Sequence, residues 1–315
     1  MEDIFNKHCV FITSTGRTGT QFLAKSLSQM IEDCFSVHEP ANVFFRDLKK
    51  WARDIKRFGF YQMTVGQFLP SKSMCKLSTY RRIGKISDEK TKEYIKGLRK
   101  QILQETKESI YVESSNHLHG VIDLLQEVFP NSKTVFIIRD PRTWIRSALS
   151  SPVYLLYKWG DLSFLEMSMR PYHFKDDPYF KKWKSMSRFE RYAWYYNKLN
   201  TFVLKTMEGR KNFKVYRYED LFITADKEKK FLEFLDFSSR FDDGFYRNYT
   251  FKPELLNKKL NSSADRYKIS HWKNWDEKMA NIMQNHCGKL MQRFGYGNEP
   301  EWVKKLSNKF EQEFA

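Results

Sequence analysis

Residues 9–20 read CVFITSTGRTGT, a short apolar run that ends in a polar segment containing two glycines. The apolar part, residues 9–12, has the length and composition of a buried strand, and residues 13–16 are typical of the tight turn that follows such a strand. Apolar residues then recur at helical spacing from residue 21 to residue 31. A strand, a glycine turn and a helix in this order favour an α/β fold.

The same alternation recurs along the rest of the chain. Short apolar runs predict strands at residues 34–37, 110–112, 134–138 and 213–218. Helical spacing predicts helices at residues 121–129, about 143–149 and 189–207. Because strands that alternate with helices form parallel sheets, we expect a central parallel sheet flanked by helices. Ligands of such sheets bind outside the carboxyl ends of the strands.

Composition narrows the class of protein. The chain has 315 residues, of which 41% are hydrophobic, so it can bury a core of its own and is neither disordered nor fibrous. The four cysteines are far apart and the histidines are scattered, which argues against a disulfide scaffold and a metal site. Neither a signal peptide nor a transmembrane segment is visible, and we therefore expect a soluble, cytoplasmic protein.

Charge points to an anionic partner. The formal net charge is +17, which suits nucleic acid, a phosphorylated cofactor, an acidic glycan or a membrane surface. The excess is uneven, because residues 55–87 contain no Asp or Glu and seven Lys and Arg. This run is either a solvated face or a contact surface for an acceptor that is itself anionic.

The turn at residues 15–21, TGRTGTQ, has the properties of an anion site. Its glycines allow several amide groups to converge, and the helix that follows adds the positive end of its dipole. Arg17 adds a fixed charge that suits phosphate or sulfate oxygens. The Gly-Lys-Ser/Thr ending of a Walker A loop is missing, which disfavours an ordinary NTPase or kinase. The alternative is a plain glycine turn that caps a helix.

A second strand–turn–helix carries Arg139 at the end of a predicted strand and Ser147 eight residues later, inside the next helix. An arginine and a helical hydroxyl can hold one phosphate from two sides. Asp140 suits the N-cap of that helix and Pro141 its first turn. The alternative is a capped helix with surface arginines. A third strand end, at residues 218–220, is also polar, and the coincidence of three such ends carries more weight than any one of them.

With these motifs the chain resembles the sulfotransferases that use 3′-phosphoadenosine 5′-phosphosulfate (PAPS). Residues 16–20 are similar to the family's 5′-phosphosulfate loop, and Arg139 with Ser147 matches its 3′-phosphate pair, including the spacing. Other short motifs follow in the family's order: residues 37–40 (VHEP), 113–118 (ESSNHL), 128–130, 135–141, 218–221 (YEDL), 271–275 (HWKNW) and 295–296 (GY). The resemblance covers about residues 8–297 and implies a P-loop-like α/β fold with PAPS along the strand ends.

The resemblance also assigns roles to individual residues. It implies that residues of the first loop bind the 5′-phosphosulfate, namely Gly16, Arg17, Thr18, Gly19, Thr20 and Gln21. Arg17 would also stabilise the leaving 5′-phosphate. Arg139 and Ser147 would hold the 3′-phosphate, and Tyr218 would contact the adenine side. The C-terminal residues Arg266, Lys268 and Trp272 would close over the nucleotide. No metal is implied.

Departures from the family concern the acceptor. The first loop lacks the Pro-Lys-Ser form of the cytosolic small-molecule class, and Ser114 stands where many relatives have Lys. Residues 44–108 match no family motif, so we expect a variable insertion there that sets acceptor specificity. The aromatic segment at about residues 150–190 is expected to be a lid or a helical segment. Residues 1–315 are predicted to form one domain.

Two residues compete for the role of general base. Glu39 belongs to a Glu-Pro step, whose Glu faces the transferred group in carbohydrate-type relatives. His117 lies 22 residues before Arg139, the separation of the catalytic His in the cytosolic class. We favour Glu39 because the first loop is of the carbohydrate type.

We therefore expect an enzyme that moves a sulfuryl group from PAPS to a hydroxyl or amine of a glycan or glycolipid and leaves 3′-phosphoadenosine 5′-phosphate (PAP). Such an enzyme would have no nucleic-acid partner and at most a peripheral contact with a membrane. The alternative is a basic nucleic-acid-binding module without catalytic activity. No RNP1 or C2H2 signature is present, which disfavours that alternative.

Overall fold

A computed structural model describes residues 3–42, 48–150, 169–257 and 269–312. In these residues, five strands form one sheet in which all neighbouring strands are parallel. The strands are β1 (His8–Ser14), β2 (Cys34–His38), β3 (Ile110–Ser114), β4 (Ser132–Ile138) and β5 (Phe213–Arg217). The α/β class and the central parallel sheet predicted from the sequence are confirmed.

Helices cover both faces of the sheet. They are α1 (Thr20–Met30), α2 (Leu48–Phe58), α3 (Met74–Arg82), α4 (Asp88–Glu105), α5 (Ile122–Val128), α6 (Pro141–Ser150), α7 (Arg188–Thr206), α8 (Tyr218–Phe222), α9 (Lys227–Ser239), α10 (Pro253–Asn257), α11 (Glu277–Arg293) and α12 (Pro300–Gln312). Helices were predicted where α1, α5, α6 and α7 lie. The prediction for β5 was one residue too long, because Tyr218 begins α8. No helix among the described residues is long and apolar enough to cross a bilayer.

The two faces of the sheet belong to different parts of the core. In β4, Val135 and Ile137 pack on the side of α1 and α9, and Phe136 and Ile138 pack on the side of α6, α7 and α11. Because both faces are covered, the strand has no polar alternation and reads as a continuous apolar run. This is the reason the strands could be found in the sequence.

The order of the strands is β2-β3-β1-β4-β5, so β1 lies at the centre of the sheet. From β1 the chain continues to β2 and β3 on one side and to β4 and β5 on the other. In a parallel sheet, the strand at which the winding reverses opens a crevice at its carboxyl end. The carboxyl edge of the sheet, where all five strands end together, is therefore where a ligand site is expected.

The described part of the unmatched segment, residues 48–108, forms α2, α3 and α4. A buried ion pair joins α4 to β3, with Arg99 donating to both carboxylate oxygens of Glu113 at 2.5 and 2.6 Å. The Tyr111 hydroxyl donates to the same carboxylate at 3.0 Å. Both charges of the pair are satisfied, as buried charges must be, and the pair fixes the segment against the end of β3.

Candidate active site

The loop of residues 14–20, which joins β1 to α1, is closed by its own side chains. The Ser14 hydroxyl accepts hydrogen bonds from the Gly16 amide at 2.9 Å and from the Thr18 hydroxyl at 2.6 Å. Gly16 and Gly19 have φ values of 77° and 80°, which glycine adopts without steric cost. The sequence pattern identified the glycines but not Ser14, whose hydroxyl organises the turn.

The start of α1 is open to an anion. Gly19 occupies the N-cap and has no side chain to cap the helix, and the first turn holds no acidic residue. An added Cβ at Gly19 would lie 3.1 Å from the Phe222 ring, so the position is also tight. A helix end with unsatisfied amides and a positive dipole attracts phosphate or sulfate. The strand, glycine turn and helix of the prediction are present, and anion binding by the loop stays a prediction.

Arg17 connects this loop to the second motif. Its Nε donates to the Ser147 hydroxyl of α6 at 2.9 Å, and its carbonyl accepts from Arg139 Nη1 at 2.6 Å. Its φ of 58° places a non-glycine residue in the left-handed region, a strain that such contacts maintain. The two motifs, far apart in the sequence, thus form one basic surface at the ends of β1 and β4.

Arg139 is held from several directions. Its Nε donates to the Thr143 hydroxyl at 3.0 Å, its guanidinium carbon lies 4.4 Å from the centroid of the Tyr218 ring, and its carbonyl accepts from the Tyr196 hydroxyl. A guanidinium stacked on an aromatic face is both oriented and still able to donate. The predicted cofactor residues Arg139, Ser147 and Tyr218 therefore lie together.

Helix α6 is fixed to the loop by Trp144, which sequence reasoning did not single out. Its indole Nε1 donates to the Gly16 carbonyl at 3.0 Å, and the side chain is fully buried. The side chain of Asp140 accepts from the Arg142 amide at 2.8 Å, in agreement with its predicted role as N-cap. The signal for Trp144 in the sequence was only its position inside the second motif.

Other motif residues serve the architecture. Glu219 accepts from the Asp140 amide at 3.1 Å and from the Tyr296 hydroxyl at 2.6 Å, so the YEDL and GY motifs meet at one carboxylate. Trp272 is buried, with its ring centroid 4.3 Å from the guanidinium carbon of Arg142 and 5.8 Å from the ring centroid of Trp302. Its predicted contact with a nucleotide stays a prediction. Arg266 and Lys268, with the same predicted role, lie outside the described residues, as do residues 151–168 of the aromatic segment.

The two residues proposed as alternative bases lie in one cluster. Glu39 follows β2 and His117 follows β3, and Glu39 Oε2 is 3.8 Å from His117 Nε2. Asn42 joins them, because its Nδ2 lies 3.0 Å from Glu39 Oε2 and 2.9 Å from His117 Nε2. Glu39 is buried and has a φ of 43°. Asn42 was not foreseen, although it is only three residues from Glu39.

The electrostatics of the cluster distinguish its two imidazoles. Burial alone would lower the pKa of His117, but the nearby Cys75 sulfur and the Glu39 carboxylate outweigh it and raise this pKa to about 9. Burial lowers the pKa of His38, whose Nδ1 donates to the Ser114 carbonyl at 2.8 Å. At neutral pH His117 is therefore protonated and His38 is neutral. The Asn42 amide nitrogen can donate to His117 Nε2 only when that imidazole is neutral. In the protonated imidazole, Nε2 is itself a donor, and the acceptor that it faces is Glu39 Oε2.

The order of the strands places these groups in a row along the carboxyl edge. From β2 to β5 the edge carries Glu39, then His117, then the loop with Arg17, then Arg139 and finally Tyr218. An acid–imidazole cluster thus lies on one side of the anion loop, and a basic, aromatic surface lies on the other. The first side can handle a proton and the second can bind phosphate.

The fold and this edge define an α/β protein with a phosphate-binding type of loop at its central strand. A family model described as the sulfotransferase family matches residues 9–221, which is more than half of the chain. The protein therefore belongs to the sulfotransferase family. A comparison with curated proteins finds no match.

Solved structures that resemble the chain include three sulfotransferases. For sulfotransferase STF9 from Mycobacterium avium the TM-score is 0.48 at 14% identity, over 92% of this chain and 78% of that one. For a sulfotransferase from Alicyclobacillus acidocaldarius the TM-score is 0.44 at 13% identity, over 93% of this chain and 98% of that one. For the sulfotransferase domain from the curacin biosynthetic pathway the TM-score is 0.40 at 17% identity, over 95% of this chain and 96% of that one.

Proposed function

We propose that this sulfotransferase uses PAPS as donor and transfers its sulfuryl group to a hydroxyl or amine of a glycan or glycolipid. The observation that supports this most directly is the order of groups along the carboxyl edge. A buried carboxylate lies at the end of β2, an anion loop at the end of β1, and a fixed arginine at the end of β4. This spatial order suits the reaction, with the carboxylate beside the acceptor, the anion loop beside the transferred sulfuryl group and the arginine beside the nucleotide.

The residues present fit the donor. The glycine turn and the open start of α1 offer amides to the 5′-phosphosulfate, and Arg17 adds a charge beside them. Arg139 and the Ser147 hydroxyl offer a charge and a donor to the 3′-phosphate, and both already contact Arg17. Tyr218 offers an aromatic face next to Arg139. When bound, PAPS supplies the activated sulfuryl group.

The raised pKa of His117 supports Glu39 over His117 as the base. A protonated His117 cannot accept another proton, so the Glu39 carboxylate is left to take the proton of the acceptor. As that proton leaves, the acceptor oxygen or nitrogen forms a bond to sulfur and the bond from sulfur to the 5′-phosphate oxygen breaks. Charge then develops on the leaving phosphate, where Arg17 and the loop amides stabilise it.

The acceptor side opens into a groove between the edge strand β2 and α2. The groove has a volume of about 360 Å³ and begins at His38 and Pro40, next to Glu39. Phe35 and Phe58 give it aromatic walls, and Arg53 adds a charge. Aromatic faces suit the apolar faces of a sugar ring, and an arginine suits a carboxylate or phosphate on it. The groove supports an acceptor that is a glycan bearing an anionic group.

The test is transfer of radiolabelled sulfate from PAPS to a panel of neutral and anionic glycans and glycolipids, with calorimetric titration of PAP. We expect specific PAP binding and product with at least one hydroxylated acceptor. PAP binding without transfer to any acceptor would overturn the acceptor assignment. If PAP does not bind at all while oligonucleotides bind with a steep salt dependence, the donor assignment fails and the nucleic-acid alternative gains support.

A further inference from the structure

We name residues 59–69, which follow α2, the apolar loop. Most of its large apolar side chains are exposed, and a polar side chain is buried. The outward side chains are Phe60, Tyr61, Val65, Phe68 and Leu69, which are 66%, 55%, 58%, 50% and 38% exposed. These are five of the nine large apolar side chains that are exposed among the described residues. The buried positions are taken by Met63 and by a polar residue, Gln67. Clustered exposed apolar side chains mark a surface that contacts something else.

The shape of the apolar loop is fixed by hydrogen bonds. The Gly66 amide donates to the Tyr61 carbonyl at 2.8 Å, and the Leu69 amide donates to the Gly66 carbonyl at 2.9 Å. From α2, the Trp51 indole donates to the Met63 carbonyl at 3.2 Å. The outward direction of the aromatic side chains is therefore part of the fold.

A basic stripe leads into this loop along α2. Lys49, Arg53 and Lys56 are exposed and recur at the four- and three-residue spacing that places them on one side of a helix. Within the described residues, none of the three forms an ion pair with a carboxylate. The stripe does not continue through the acid-free run of residues 55–87, where Lys76 is buried, Arg57 pairs with Glu105, and Arg81 pairs with Asp88 and Asp123. Apolar side chains and cations therefore lie side by side with few anions between them.

The apolar loop also contacts the candidate active site. Gln67 Nε2 donates to the Ala41 carbonyl at 3.1 Å, and Ala41 lies two residues after Glu39 with a φ of 57°. Helix α2 starts near the site, where the Lys50 ammonium donates to the Asn42 carbonyl at 3.4 Å. Its 11 residues span about 16 Å at 1.5 Å per residue. A surface docked on the apolar loop would therefore lie within about 20 Å of Glu39.

We propose that the apolar loop and the basic stripe of α2 dock this protein on an anionic membrane surface. The aromatic and aliphatic side chains would enter the interface, and Lys49 and Lys56 would lie over the headgroups. An anionic bilayer offers apolar depth and negative charge to one surface without needing a complementary shape. A protein partner would need an apolar pocket ringed by carboxylates. Docking would also bring a lipid-borne acceptor to the site, and this part rests on the proposed function. The docking itself does not depend on that function.

The first experiment measures sedimentation of the full chain with vesicles of phosphatidylcholine alone and of phosphatidylcholine with phosphatidylglycerol. We expect binding to the anionic vesicles and at least tenfold weaker binding to the neutral ones. The double variant Phe60→Ser with Phe68→Ser should lose about tenfold in partitioning, because two inserted apolar side chains are removed. The matched control is Ile223→Ser with Leu232→Ser, which removes two exposed apolar side chains elsewhere and should bind as the parent does.

The second experiment separates the basic stripe from the general charge of +17. Lys49→Glu with Lys56→Glu should weaken anionic-vesicle binding by about tenfold or more, since two cations near the headgroups are replaced by anions that the surface repels. Lys181→Glu with Lys229→Glu makes the same change of charge on other exposed lysines and should have a much smaller effect. Calorimetric binding of PAP, measured on the same variants, should be unchanged, so that loss of docking and loss of donor binding are distinguished.

Three results would overturn the proposal. The first is the absence of binding to anionic vesicles at low salt. The second is equal loss in the target and control variants, which would show a diffuse charge effect. The third is a stable dimer in light scattering that Phe60→Ser with Phe68→Ser dissociates, because the apolar loop would then be an interface between two copies of this chain.

Discussion

The carboxyl edge has two halves that are built in different ways. In the donor half, at the ends of β1, β4 and β5, motif residues contact one another directly, as Arg17 contacts Ser147 and Arg139 stacks on Tyr218. In the acceptor half, at the ends of β2 and β3, the motif residue Glu39 depends on Asn42, which belongs to no motif. The donor half is thus specified by local sequence, and the acceptor half by the segment that surrounds it.

Backbone strain occurs in both halves. Arg17, Glu39 and Ala41 are three of the four non-glycine residues with positive φ among the described residues. Each such residue costs about 1–3 kcal/mol and persists only where its surroundings determine it. In the donor half the hydrogen bonds of Arg17 maintain the strain, and in the acceptor half those of Asn42 and Gln67 do. Strained residues cluster at functional sites in proteins, so the strain agrees with a site along this edge.

The largest expected effect breaks the acceptor half while leaving the donor half intact. Glu39→Gln keeps the shape but removes the group that we propose as the base, so kcat should fall by about 10²- to 10⁴-fold. PAP affinity should stay within about twofold, because no donor residue changes. The measurements are steady-state transfer to an acceptor found in the panel and calorimetric titration of PAP.

The matched control for this change is Glu32→Gln, the same substitution before β2, which should leave turnover unaltered. His117→Gln should reduce turnover far less than Glu39→Gln. If instead His117→Gln abolishes transfer and Glu39→Gln retains it, the assignment of the base is reversed.

The next effect breaks the donor half. Arg139→Ala should weaken PAP binding by about 100-fold, since a charge-assisted contact to a phosphate contributes about 1.5–3 kcal/mol. Arg139→Lys should recover only part of this loss, because lysine lacks the planar fork that reaches Thr143 and the Arg17 carbonyl. Arg293→Ala, at the exposed end of α11, is the control. Equal PAP affinity in Arg139→Ala and the parent would remove Arg139 from the nucleotide site.

The same contrast explains how much could be predicted from the sequence. The strands were found because burial of both faces makes them uninterrupted apolar runs, and the donor loop was found because its glycines and Arg17 are adjacent in the chain. That Arg17 reaches Ser147 follows from the adjacency of β1 and β4, which alternation alone does not reveal. Tyr218 was assigned to a strand because an aromatic residue after an apolar run fits either state.

In the acceptor half the sequence singled out Glu39 and His117, but the contacts that surround them could not be predicted in this way. Gln67 contacts Ala41, but no sequence motif indicates that these two segments meet. Gln67 is buried and its neighbour Phe68 is exposed, which is the reverse of what their polarity predicts. The pairing of Cys75 with His117 depends on how α3 packs against the turn after β3. Such contacts are tertiary, so the sequence predicted only that residues 44–108 differ from the family.

A third expected effect tests the coupling of charges in the acceptor half. The pKa of His117 is about 9 in the folded protein, against an ordinary value near 6.5, because Cys75 and Glu39 favour its charged form. Its stabilising contribution is therefore complete below about pH 6.5 and is lost as the pH rises through about 9. The stability advantage of the parent over His117→Gln should shrink by about 1–3 kcal/mol between pH 6 and pH 9.5, measured by urea unfolding.

Cys75→Ser serves as the check on this explanation. Removing the thiol removes one cause of the raised pKa, so the pH-dependent difference should become smaller in that background. Parallel stability curves for the parent and His117→Gln across this range would show that the cluster does not hold a proton on His117.

The smallest expected effect tests whether the donor half and the acceptor half act independently. Ser147→Ala removes the hydroxyl that accepts from Arg17 and that we assign to the 3′-phosphate, so PAP affinity should fall by about three- to tenfold. Ser150→Ala lies three residues further along α6, where the hydroxyl donates to the Arg146 carbonyl at 2.8 Å, and it should leave PAP binding unchanged. Glycan KM should be the same in both variants, because both serines lie on the side of the edge that we assign to the donor. A shift in acceptor KM on Ser147→Ala would mean that Arg17, once released from Ser147, moves toward the acceptor, and that the two halves share this arginine.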